Sequence, residues 1–132
     1  MKIKVNEILG FFSYIIPDSP TNKDLLNYEM DEMEIAQCFG NALKTVRKIK
    51  NVSLATMKKE IDIPSQTINR YENGINVPTI PQAIKIVTYF ELNIELFIFL
   101  GLAGLKGGDI EQLYNEYIAV INVAKTMNRQ QP

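Results

Sequence analysis

Ser65, Gln66, Thr67 and Asn69 crowd hydroxyl and amide side chains into five residues. Such groups donate and accept hydrogen bonds side by side, which is the chemistry needed to tell one base-pair edge from another. Ile63, Ile68 and Tyr71 provide an apolar backing. The surrounding charge is suited to a polyanion. From Ala36 to Arg70 there are 7 basic residues (Lys44, Arg47, Lys48, Lys50, Lys58, Lys59 and Arg70) against 2 acidic ones. The stretch before it carries 3 basic and 7 acidic residues, and the stretch after it 4 and 6. A net charge of −1 therefore hides a basic middle, and the local field is what a phosphate backbone meets.

Other chemistries lack their residues. The chain has no His and a single Cys38, so neither a His/Cys metal site nor a Ser–His or Cys–His nucleophile can be assembled. One cysteine also forms no internal disulfide, and Cys38 is expected as a small core residue. Gly101, Gly104, Gly107 and Gly108 do not follow a strand or match a phosphate-binding loop. Asp31 and Glu32 suit a helix N-terminus better than acid–base work. No metal, cofactor or enzymatic role is expected.

Helices must position the polar cluster. At 132 residues, 46% hydrophobic and 22% charged, the chain is expected to fold as one domain with added arms. Asn6 is a candidate cap for a short helix with Ile8, Leu9, Phe12, Ile15 and Ile16 on one stripe, broken by Pro17 to Pro20. A short strand is allowed at Ile3–Val5, and Thr21 with Asp24 predicts a further turn or two. Ile35, Phe39, Ala42, Leu43, Val46 and Ile49 then mark a long amphipathic helix. Ser53 caps a short helix with Leu54, Met57 and Ile61 inward. Asp62-Ile63-Pro64 is a tight turn, and the next helix, from Ser65, stops at Asn73-Gly74. Ile80, Ala83, Ile84, Val87 and Phe90 predict one stripe. Asn93 caps an apolar helix, and Asp109 caps a last one with Ile110, Leu113, Tyr114, Tyr117, Ile118, Ile121 and Ala124 on its stripe. The class is all-α.

Two short helices around a tight turn in a basic segment make a helix-turn-helix, whose second helix presents its leading residues to the major groove. Val52 through Gly74, VSLATMKKEIDIPSQTINRYENG, resembles the Cro/CI-type (XRE) family, most specifically in Ile68 to Gly74 and the following Pro78. The resemblance runs from about Glu34 to Leu100. It implies a five-helix lambda-repressor-like domain, with an N-terminal helical arm over 1–33 and a C-terminal amphipathic helix over 101–132. It further implies that Ser65, Gln66, Thr67 and Asn69 read bases, with Gln66 facing adenine. Ser53, Arg70, Asn73, Lys48 and Lys44 would meet phosphates, and Arg47 with Glu72 would form a structural pair. The chain departs from the family at Leu54 (usually Gln), Lys58 (usually Ala), Asp62 (usually Gly) and Pro64 (usually Ser or Thr).

Leu96 to Leu100 is apolar all round and must be covered on several sides. A homodimer joined through Leu96, Phe97, Phe99 and Leu100 is expected, with the last helix as a further dimerisation element. Packing by the last helix or the Ile8–Ile16 segment is the alternative. The function expected is a cytoplasmic, double-stranded-DNA-binding transcriptional regulator, a homodimeric repressor on a palindromic operator. The alternatives are an antitoxin gripping a toxin through the N-terminal arm or C-terminal helix, and a protein-interaction adaptor that has lost DNA binding. No membrane partner is expected.

Overall fold

In the computed structural model, residues 2–10 and 20–130 are described; Phe12, Ile15 and Ile16 of the expected first stripe lie outside them. In chain order the elements are β1 (Ile3–Lys4), α1 (Val5–Leu9), α2 (Pro20–Leu26), β2 (Glu29–Met30), α3 (Glu32–Ile49), α4 (Leu54–Ile61), α5 (Ser65–Glu72), α6 (Ile80–Tyr89), α7 (Ile94–Leu105) and α8 (Ile110–Gln130). The fold is all-α apart from β1 and β2, which pair antiparallel with Ile3 opposite Met30 and Lys4 opposite Glu29. Asn6 is not a cap. Helix α1 starts before it, at a Lys4 cap whose N–H donates to the Glu7 carboxylate.

Helix α3 is the axis of the molecule. Asp31 caps it, accepting from the Glu34 N–H at 2.8 Å, and acidic residues in its first turn with Arg47 and Lys48 in its last suit the helix dipole. Ala36, Cys38, Phe39, Ala42, Leu43 and Val46 are buried along it. Its backbone comes close to two other helices because the contacts are glycines. A Cβ on Gly101 of α7 would collide with the Cys38 carbonyl, and one on Gly40 of α3 would collide with the Tyr71 carbonyl of α5. Asn41 Nδ2 donates to the Gly101 carbonyl at 3.1 Å and fastens the first crossing. Phe97 fills the space beside it, with its ring 5.2 Å from that of Phe39 and 6.3 Å from that of Phe90.

The ends of the chain belong to the same core. Val5 and Leu9 of α1 are buried with α7, and Ile110, Tyr114 and Tyr117 of α8 are buried against α3 and α7. Tyr28 donates to the Glu34 carboxylate at 2.5 Å and accepts from Lys106 Nζ at 3.2 Å, so the segment before α3 is tied to the end of α7. The boundaries at 33/34 and 100/101 fall inside α3 and α7. Leu113 and Ile118 are half-buried, while the side chains of Ile121 and Ala124 lie outside the described set. Cys38 is fully buried, and desolvation, helped by Glu34, pushes its thiol up to about 12. It is core.

Two expectations fail on packing. Helix α6 buries Ala83, Ile86 and Val87 and leaves Ile80 74% and Ile84 50% exposed. Its phase is turned so that Ile86, absent from the expected stripe, faces the core. Leu96, Phe97, Phe99 and Leu100 are each no more than 2% exposed in a single chain, so they offer no face to a second copy. The apolar helix is covered from within, chiefly by α3, with α1, α6 and α8 around it.

Gly101→Ala should therefore destabilise the protein by about 1–3 kcal/mol, because backbone must shift to admit a methyl group. Urea unfolding followed by circular dichroism checks this through a lower midpoint at an unchanged slope.

Candidate nucleic-acid interface

Helices α4 and α5 form the helix-turn-helix. Ser53 caps α4 by accepting from the Thr56 N–H at 3.0 Å, and its hydroxyl lies 2.9 Å from that of Thr56. One hydroxyl hydrogen is used within this exposed pair, and the other is left to donate outward. Helix α4 ends at Asp62, which takes the left-handed conformation at φ 58°. Asp tolerates that region better than most residues, which lets it stand where glycine is usual. Ile63 and Met57, both fully buried, plug the angle between the helices. Lys58 is exposed, so its long side chain does not enter the contact. Leu54 is half-buried, and its carbonyl accepts from the Ser65 hydroxyl at 3.3 Å.

The pose of α5 is set at its far end. Arg47 Nε and Nη2 donate to the two Glu72 carboxylate oxygens at 2.7 and 2.9 Å, while Arg47 Nη1 donates to the Val52 carbonyl at 3.1 Å. The Glu72 side chain is only 3% exposed. Its hydrogen bonds hold the guanidinium charged, moving the Arg47 pKa further up. Tyr71 donates to Gln82 and so links α5 to α6; burial raises its pKa. Gly74 at φ 69° then reverses the chain, with its N–H on the Tyr71 carbonyl and that of Ile75 on the Arg70 carbonyl.

With Ile68, Tyr71 and Glu72 turned inward, the helix period leaves Gln66, Asn69, Arg70 and Asn73 exposed along one face. Ser65 and Thr67 are half-buried at its margins. The leading end of α5 also differs from those of its neighbours. Asp31, Ser53, Thr79, Asn93 and Asp109 accept from backbone N–H groups of α3, α4, α6, α7 and α8. Pro64 supplies no such acceptor, so the first turn of α5 keeps N–H groups for outside partners.

The expected phosphate contacts divide. Ser53, Lys44, Lys48 and Arg70 are exposed. Asn73 is exposed too, but its donors are turned back into α5. Its Nδ2 lies 3.0 Å from the Asn69 carbonyl and 3.4 Å from Asn69 Oδ1, and its backbone N–H meets the Asn69 carbonyl. A phosphate only accepts, and in this arrangement the Asn73 amide hydrogens are directed to Asn69. That i, i+4 amide pair was missed in the sequence, where the spacing alone could have suggested it. Lys50 lies with Nζ 5.6 Å from the centre of the Tyr114 ring, directed toward α8. No cluster of metal-ligating side chains occurs among the described residues.

Residues 43–97 match the family model described as Helix-turn-helix, a stretch that runs from within α3 into α7 and contains α4, α5 and α6. No curated protein and no solved structure matches the chain.

Arg47→Met should cost about 3–5 kcal/mol by leaving the Glu72 carboxylate buried and unpaired, and Arg47→Met with Glu72→Met should recover much of that loss. Thermal and urea unfolding of both variants provide the check.

Proposed function

We propose that the helix-turn-helix domain of the Cro/CI type at residues 43–97 makes this chain a DNA-binding regulator, and that it is a sequence-specific repressor acting as a homodimer on a palindromic operator. The observation that carries this reading is the outer face of α5. Gln66 makes no hydrogen bond within the described residues and stands beside Asn69 and Arg70, at the end of a helix without a side-chain cap. In this reading Gln66 pairs bidentately with adenine, and Ser65, Thr67 and Asn69 meet neighbouring base edges. Ser53, Lys44, Lys48 and Arg70 hold phosphates and fix the register.

One recognition helix reads too few base pairs to be selective among genomic sites, which argues for two copies. The covered α7 is not available to join them. Ile75, Val77, Ile80 and Ile84 remain, 63%, 62%, 74% and 50% exposed, on the segment between Gly74 and α6 and on α6 itself. Val77 and Ile80 line one groove, and Ile84 follows Ile80 by one turn of α6; exposed aliphatic residues in such an arrangement favour a protein contact. A two-fold pairing through this surface must place the two recognition helices about 34 Å apart, one DNA turn, to serve a palindromic operator.

Selection from random duplexes should yield a palindromic site. Gln66→Ala should cost about 1–3 kcal/mol and relax the preference at one base pair per half-site. Lys48→Ala should weaken all sequences alike and flatten the salt dependence of binding. Equal binding of every duplex by wild type and Gln66→Ala would refute the assignment. Ile80→Asp, at an exposed position, should leave the fold intact but shift sedimentation from dimer to monomer; an unchanged dimer would exclude this patch.

A further inference from the structure

The amides on α5 differ in what holds them, and we propose that Asn73 is a positioning residue that fixes which way round Asn69 meets the major groove. Asn69 then offers its NH2 group and reads a base-edge acceptor, on guanine or thymine. The proposal rests on the DNA-binding reading above.

The argument runs through donors. Asn73 Nδ2 is placed by its 3.0 Å bond to the Asn69 carbonyl, an acceptor that cannot be exchanged for anything else. The amide of Asn73 therefore presents hydrogens, not oxygen, to Asn69. Asn69 answers with Oδ1 at 3.4 Å, since two NH2 groups facing each other would repel. Asn69 Oδ1 is drawn toward the C-terminal end of α5, and its Nδ2 is the group left for DNA. Adenine N7 also accepts, but the N6–H2 beside it needs an oxygen that the held Asn69 does not bring, and cytosine presents a donor; guanine N7 and O6 and thymine O4 accept with no such donor on the same base edge. Gln66, one turn earlier and without such a partner, is free to pair with adenine. The two amides thus read different bases although their chemistry is the same.

The experiment selects bound sequences from a random duplex library with wild type, Asn69→Ala, Asn73→Ala and Asn73→Asp, each shown to be folded by circular dichroism. The base pair read by Asn69 is the one whose preference Asn69→Ala abolishes. Wild type should enrich guanine or thymine there over adenine and cytosine by on the order of tenfold. Asn73→Ala releases Asn69 to turn over and should admit adenine. Asn73→Asp, an acceptor that captures the Asn69 NH2, should move the preference toward cytosine. The base pair lost in Gln66→Ala should stay as it is in all three. Enrichment of adenine or cytosine by wild type at the Asn69 position, or an Asn73→Ala preference identical to wild type, overturns the proposal. So does an Asn69→Ala protein that retains every preference. If wild type enriches no sequence at all, the DNA-binding reading falls and takes this proposal with it; in the other failures that reading survives.

Discussion

A single guanidinium holds the helix-turn-helix together. Arg47 projects from the last turn of α3, takes both carboxylate oxygens of Glu72 on α5, and caps the Val52 carbonyl just before α4. Three helices are thereby referenced to one planar group whose fork fixes direction as well as distance. The arrangement explains why the leading end of α5 can be left with so few internal bonds. Its trailing end is clamped by a desolvated ion pair, by Tyr71 on Gln82 and by the close backbone contact at Gly40. A helix of eight residues has little stability of its own, so this tertiary clamp sets its orientation.

The core continues that logic outward. Helix α3 serves the DNA-binding unit along one side and packs α7 along another, with glycines at both crossings. Helices α1 and α8 complete the cover over α7. The N-terminal and C-terminal segments are consequently structural parts of one core, whatever further surfaces they carry. No single helix among the described residues is long and apolar enough to cross a membrane, and the apolar α7 is explained by this covering.

How much of this could be read from the sequence follows from how local each signal is. The caps at Ser53, Asn93 and Asp109 were legible because a cap depends on residues three apart, whereas Asp31 was read only as a charge suited to the helix dipole. The turn at Asp62 and the stop at Gly74 were legible for the same reason. The phase of α6 was not: Ile80, Ile84 and Ile86 are equally apolar, and only the position of α7 decides which of them faces inward. Nor could Leu96 to Leu100 show what covers them, since a helix apolar all round has no moment to point at its neighbour. Strand β2, two residues long, has no periodicity to detect. At the candidate site, residue types and spacing located the exposed face of α5. The i, i+4 spacing of Asn69 and Asn73 allows a pair, but which way each amide faces is set only in the folded chain.

Charge shows why that face outweighs its numbers. Of the seven cations between Ala36 and Arg70, Arg47 is spent on Glu72, and Lys50 lies over Tyr114. Lys44, Lys48, Lys58, Lys59 and Arg70 remain exposed, in a protein whose net charge is −1. Binding to phosphates by so few cations is modest and weakens further as salt rises, and acidic segments before and after the domain oppose nonspecific adhesion. In the proposed reading, discrimination between sequences comes from hydrogen bonds to base edges, and these discriminate only when the groups making them are held in one orientation. The clamp at Arg47 and Glu72 supplies that for the helix, and the Asn73 amide supplies it for one side chain upon it.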